Sequence, residues 1–451
     1  MKRKLFAIIA SVVMLVGILF PSCTPADTKK SNDLVLRPMI FVHGYSGSAS
    51  QFKTEALRFA SNGYPANYVR AFEYDSTMVN NTTEQIRAGI DELIASLLEE
   101  TGAEQVDLLG HSMGTSVCQG YLNSSPERAA KVAHYVNLDG STATGLPGGV
   151  PTLAIWGRGS TTRQIVGATD VYFVDHTHTD VVTWAGSFVE MYKFFTGKDP
   201  ITTDIVPEPP DQVRLAGRVH FAQTNLGVPG STLEIWEIDG DTGARIGKKP
   251  AAVYQIGEDG AWGPFKAKGG AHYEYCLLRE GGRPQHMYTQ PPIRSDYLVR
   301  IGTTTVSLMD TSDVQSNLTV GRNKEFWGDQ PGNNDTLLIN GVNIINAATA
   351  PSLTLTSLVI AMLVYDKDSD RVSDTTKLIS YPYPFVFGVD LFIPGADPPN
   401  GTISVVLCPR GGGRMQMITV PNWASSGHST TIGFNDYVQD INSWVEYVQA
   451  K

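Results

Sequence analysis

The sequence predicts a mostly parallel α/β domain followed by an all-β region. Between Pro38 and Gly197, short apolar runs alternate with helix-like patterns. The stretch Pro207-Glu208-Pro209-Pro210 then interrupts the pattern. Beyond it, short alternating runs are separated by Gly- and Asp-rich turns such as Asp239-Gly240-Asp241.

Six runs read as strands: Met39 to Val42, Val69 to Tyr74, Val106 to Leu109, His134 to Leu138, Thr152 to Trp156 and Val171 to Val174. Thr82 and Gln85 have the spacing of a capping box. Ile86, Ile90, Leu93, Ile94, Leu97 and Leu98 then recur at helical spacing until Gly102, which defines a crossover helix. A last helix is expected from about Ala185 to Phe195, with Gly197 as its stop. In the β region, Leu233, Ile235 and Ile238 are expected to face away from Glu234 and Glu237, and Leu358 to Tyr365 reads as a continuous apolar strand. The boundaries that follow are a signal segment over 1–22, a tether over 23–36, the α/β domain over 37–205, one β module over 211–302 and a second over 303–451.

The chain has 451 residues, enough for roughly three compact units. Apolar residues make up 42% and charged residues 18%, which excludes wholesale disorder. The formal charge of -10 gives no general attraction to phosphate backbones, so nucleic acid is not an expected partner. At the N-terminus, Lys2-Arg3-Lys4 precedes an apolar run from Leu5 to Phe20 and then Pro21-Ser22-Cys23. That run is too short for a spanning helix and has the three-part pattern of an export signal. Cys23, ahead of a polar tether, resembles the lipidated cysteine of a bacterial lipoprotein, which implies a membrane-anchored or secreted protein. Cys118, Cys276 and Cys408 remain after cleavage and define no disulfide framework, although a Cys276 to Cys408 bond is conceivable.

Gly110-His111-Ser112-Met113-Gly114 is a G-x-S-x-G sequence between an apolar strand and a helix-like stretch, the setting of a nucleophile elbow. A serine hydroxyl needs a base to take its proton and a buried carboxylate to orient that base. Asp139 closes the next strand at the same sheet edge and is preferred as the acid to Asp170 and Asp175. The loop Asp175-His176-Thr177-His178-Thr179-Asp180 offers two bases, and His178 is preferred to His176 because it lies immediately before the final helix. His111 and His43 read as structural. The backbone N–H groups of Met113 and Tyr45 are the candidate oxyanion donors, and no cofactor or metal is required. Asp366-Lys367-Asp368-Ser369-Asp370 starts like a calcium loop. Arg371 and Lys377, however, occupy the places of the required Gly and Glu, so a solvated turn is expected.

The chain resembles the Archaeoglobus-type lipases, α/β-hydrolases followed by a C-terminal β-domain. The resemblance rests on Phe41-Val42-His43-Gly44-Tyr45-Ser46-Gly47-Ser48, the elbow from Val106 to Thr115, Asn123 to Val132, Leu138-Asp139-Gly140 and Thr177-His178. It implies Ser112, Asp139 and His178 as the triad, an acyl ester as substrate, and a β region that helps to accommodate acyl chains. Only seven residues separate Tyr74 from Thr82, where such lipases carry a long helical lid, and the connection from Asp139 to Val150 is short. A minimal fold with no large cap and an accessible site is therefore expected. Such a site also suits a lipid or polymer surface. A polyester hydrolase or acyltransferase using the same site, or an anchored binding protein with a vestigial hydrolase domain, are the alternatives.

Overall fold

The computed structural model describes residues 36–327, 334–346, 349–350, 358–383, 385–410 and 414–437. The expected signal segment, Cys23 and nearly all of the tether lie outside them. The N-terminal part is a six-stranded, wholly parallel sheet of β1 (Met39–Val42), β2 (Val69–Phe72), β3 (Val106–His111), β4 (Val132–Leu138), β5 (Thr152–Trp156) and β6 (Thr169–Tyr172). Their order is β2-β1-β3-β4-β5-β6. The second strand ends two residues earlier than the sequence pattern suggests, and the sixth begins and ends two residues earlier.

Alternation along β1 divides the core between the two faces of the sheet. Met39 and Phe41 pack with helices α1 (Lys53–Ser61), α5 (Asp180–Thr183) and α6 (Ala185–Thr196). Ile40 and Val42 pack against α2 (Thr83–Thr101), α3 (Met113–Leu122) and α4 (Pro126–Ala130). The start of α2 is fixed as expected. The Thr82 hydroxyl accepts the Gln85 N–H at 3.3 Å, and the Gln85 side-chain Oε1 accepts the Thr82 N–H at 2.8 Å. Gly102 and Gly197 close α2 and α6 in the left-handed conformation. Between β2 and α2 the chain is a tight turn built on Asp75, whose carboxylate accepts N–H groups from Thr77 and Asn80.

The β region contains β7 (Arg214–Phe221), β8 (Thr232–Ile238), β9 (Ala252–Gln255), β10 (Ala261–Lys266), β11 (His272–Leu278), β12 (Gln285–Thr289) and β13 (Asp296–Thr303). It continues with β14 (Leu318–Gly321), β15 (Thr336–Ile339), β16 (Val342–Asn343), β17 (Ala361–Tyr365), β18 (Asp374–Ser380), β19 (Val386–Asp390), β20 (Thr402–Cys408), β21 (Gln416–Pro421) and β22 (Ser429–Gly433). One nine-stranded sheet, β18-β19-β17-β14-β22-β12-β11-β8-β9, runs across residue 303, the expected junction of the two modules. The segments on either side of that residue thus share a sheet. β22 lies between β12 and β14 and is parallel to both.

The sheet β10-β7-β13 covers one face through Leu215, Leu233, Ile235, Tyr275 and Ile301. The sheet β16-β15-β20-β21 covers the other through Trp236, Cys276, Leu337, Val405 and Val420. Ile238 packs with Trp236 in the second core, whereas Leu233 and Ile235 belong to the first. The expected common face for these three residues is therefore incorrect, because a two-residue period puts 236 and 238 together. Cys118, Cys276 and Cys408 are free thiols. At the end of β17, Lys367–Ser369 form a short 3₁₀ turn, with the Asp366 carboxylate accepting the Arg371 N–H at 2.9 Å.

Candidate active site

The chain enters the site through β3, which leads directly into α3. At this junction Ser112 has φ 54° and ψ −122°, outside the ordinary regions for a side-chain-bearing residue. The turn leaves no room for Cβ atoms on either side. A Cβ on Gly110 would lie 2.7 Å from the Gly114 carbonyl oxygen, and one on Gly114 would strike the Val42 carbonyl. Gly44 brings the loop after β1 against the serine, since a Cβ there would sit 2.9 Å from that of Ser112. The two glycines of the motif and Gly44 are therefore spatial requirements of the turn.

Asp139 follows β4, also in the left-handed region at φ 41°, and is 1% exposed. Its Oδ2 lies 2.6 Å from Nδ1 of His178 and 2.7 Å from Nε of Arg158. Its Oδ1 accepts from Nη1 of Arg163 at 2.6 Å and from the Gly157 N–H at 3.2 Å. Burial raises the Asp139 pKa, but the hydrogen bond and charge of His178, with the two guanidinium groups, outweigh it and bring the carboxyl down to about 2. Arg158 and Arg163 have no motif in the sequence. Their part in the site comes from the β5–β6 connection folding back over the end of β4.

The other histidines of the sequence analysis have separate partners. Nδ1 of His176 pairs with Asp180 at 2.5 Å, and its ring lies against Trp184. His111 donates its Nε2–H to the His178 carbonyl, 2.9 Å away; burial, followed by the His178 charge, lowers its pKa to about 3. His43 stacks on Tyr74 and bonds the Gly44 carbonyl, bracing the loop after β1. Asp170 is occupied by the indole N–H of Trp156 at 2.7 Å.

The loop after β1 and the elbow commit most of their N–H groups internally. Gly44 donates to the Gln51 side chain, Ser46 to Ser76, Gly47 to the Gly44 carbonyl and Ser112 to the Leu138 carbonyl. The N–H groups of Tyr45 and Met113 make no such bond among the described residues. That of Met113 belongs to the first turn of α3, which has no preceding turn to serve it.

Ser112, His178 and Tyr45 line one cavity of about 370 Å³. The β region also lines it, where Met287, Ile293, Phe385, Ile432 and Phe434 add apolar surface. A hydroxyl in a strained turn, an imidazole bonded to a buried carboxylate, and an apolar chamber are the requirements of acyl transfer.

Comparison with known families agrees with this architecture. Residues 36–126, which hold the loop after β1 and the elbow, match the profile of class 2 lipases. Residues 211–306 match the lipase C-terminal domain, and 304–438 match a further C-terminal domain profile. Part by part, the chain is thus similar to lipase-type α/β-hydrolases.

Solved structures similar to this chain include a gene product of Listeria innocua, at 14% identity over 37% of this chain and 96% of that one, with a TM-score of 0.29. Aspergillus fumigatus lipase B matches at 13% identity over 37% of this chain and 54% of its own, with a TM-score of 0.30. The hydrolase therefore spans about half the length of that lipase. A CIB-like hydrolase from Thermoplasma acidophilum matches at 17% identity over 36% and 86% of the two chains, with a TM-score of 0.26. The class 2 lipase match over residues 36–126 supports a carboxylic-ester hydrolase of lipase/esterase type.

Proposed function

We propose that this hydrolase cleaves acyl esters through Ser112, His178 and Asp139. The observation that carries the reading is the 2.6 Å contact between His178 and Asp139 at a cavity that also receives Ser112. Ser112 Oγ attacks the ester carbonyl while His178 takes its proton through Nε2. Asp139 holds Nδ1–H and stabilises the imidazolium that forms. The N–H groups of Met113 and Tyr45 receive the developing oxyanion. His178 then protonates the leaving alcohol, and a water activated by the same imidazole releases the acid.

The short turn on Asp75 supports a site without a movable lid, with the β region as a fixed wall. The basic and apolar N-terminus supports export, and Cys23 supports a lipid anchor. Among the described residues, no helix is long and apolar enough to cross a membrane. Mass measurement of the mature N-terminus tests the anchor: a diacylated Cys23 supports it, and an unmodified N-terminus rejects it.

The reaction is tested with p-nitrophenyl esters of increasing chain length. Ser112→Ala is expected to lower kcat by about a million-fold, and activity retained in that variant rejects the mechanism. With a short-chain ester, the rate is expected to rise smoothly through the solubility limit. A sharp jump there rejects the lidless site.

A further inference from the structure

The loop that carries His178 is held by a residue far away in the sequence. Immediately after β14 comes the segment from Arg322 to Glu325, of which Arg322 and Asn323 line the cavity. The Glu325 side chain is fully buried. Its Oε1 accepts the Thr179 N–H at 2.8 Å; its Oε2 accepts the Thr177 hydroxyl at 2.5 Å and the Asp180 N–H at 3.1 Å. These donors flank His178 on both sides. On the opposite side, the His178 carbonyl is bonded to Nε2 of His111.

Neighbours of Glu325 extend the same grip. Nζ of Lys324 lies 2.8 Å from Asp180, whose other oxygen holds His176. The Asn323 side chain donates to the Ser50 carbonyl at 2.9 Å and accepts the Ser50 hydroxyl at 3.2 Å, which ties the loop after β1 to the same segment. The segment is itself anchored. The Asp436 carboxylate accepts the Asn323 and Lys324 N–H groups at 2.6 and 3.0 Å, and guanidinium groups of Arg322 and Arg410 donate to the Glu325 carbonyl.

A carboxylate taken fully out of water is costly unless strong donors meet it. Among the described residues, the side-chain hydrogen bonds of Glu325 all go to the histidine loop. We infer that Glu325, contributed by the C-terminal β region, is a positioning residue that fixes the loop bearing His178 so that its imidazole meets Ser112. The inference rests on the proposed triad. It assigns to the β region a part in assembling the catalytic geometry, separate from any contact with acyl chains.

The full chain tests it, with p-nitrophenyl butyrate turnover and the rate at which a p-nitrophenyl phosphonate labels Ser112. Glu325→Gln keeps the shape but turns one acceptor into a donor facing an N–H or a hydroxyl. Because loss of sub-ångström alignment acts on the chemical step, kcat and the labelling rate are expected to fall about tenfold or more while KM stays within about twofold. Thr177→Val removes one donor and leaves no buried charge unpaired, and is expected to lower kcat about threefold. Folding is followed by near-ultraviolet circular dichroism.

A folded Glu325→Gln variant with wild-type kcat and labelling overturns the inference. So does Thr177→Val at wild-type kcat if Glu325→Gln loses activity only in step with its fold. Failure of the phosphonate to label Ser112 in the wild-type chain would instead remove the triad on which the inference stands.

Discussion

Asp139 has more donors than orienting an imidazole requires. His178, Arg158, Arg163 and the Gly157 N–H all converge on it. Its folded pKa of about 2 lies below the ordinary 3.8, so the folded state binds its proton more weakly than the unfolded chain does. The resulting stabilisation is fully present above the unfolded pKa and is lost as pH falls through the folded one. It amounts to about 2 kcal/mol. Urea titrations are expected to show wild type losing that much more stability than Asp139→Asn between pH 5 and pH 2. Parallel pH profiles for the two proteins would contradict it.

At this scale much of the site is legible in the amino-acid order. Ser112 announces itself because strand, turn and helix are contiguous, and Asp139 because it ends the neighbouring parallel strand. His178 and His176 are equivalent by composition, and only folding gives one of them Asp139 and the other Asp180. Arg158, Arg163 and Glu325 carry no local signal, since what gives them a role is a contact made across 19 to 148 residues of chain.

Elements bring the same contrast. In α3, two glycines six residues apart meet opposite surroundings. A Cβ on Gly114 collides with the Val42 carbonyl, whereas one on Gly120 meets only the end of Arg87 at 3.9 Å. Gly114→Ala is expected to destabilise the protein by about 2 kcal/mol or more, because backbone has to move. Gly120→Ala is expected to stabilise it by up to about 1 kcal/mol through the helix propensity it gains. Thermal unfolding of the pair should separate them in opposite directions; equal shifts would show that the elbow is not crowded. Helix α2 could be read to its ends because both caps are written locally, as Thr82 with Gln85 and as Gly102. Alternation identified β texture beyond Pro210 but not which strands pair. Pairing such as β12 with β22, whose partners are 144 residues apart, is decided by the whole core.

The molecule as a whole is joined by charges that neither half could bury alone. Glu73 follows β2 and accepts from Arg300 of β13 at 2.6 Å and from Asn225, with His43 3.5 Å away. Burial would raise its pKa, yet Arg300 foremost, then His43 and Arg218, hold the carboxyl far below its usual range. Arg300→Met removes the foremost of these countercharges from that buried carboxylate and is expected to cost about 3 to 5 kcal/mol at pH 7. The deficit should shrink toward pH 4, where the carboxyl takes up a proton, and a deficit independent of pH would argue against the pairing. Leu57, Ile205 and Ile293 add an apolar contact across the same junction.

The place of β22 between β12 and β14 gives residues 429–433 a keystone position. Synthesis proceeds from the other terminus, so two ribbons stay apart with bare edges until residues 429–433 emerge to bridge them. A message cut short anywhere upstream therefore yields a product with exposed, pairing-prone strands rather than a smaller working enzyme. Products stopped just before Ser429 should accumulate as insoluble material, and a soluble, active one would refute this. Translation through residue 433 is thereby tested by the fold itself.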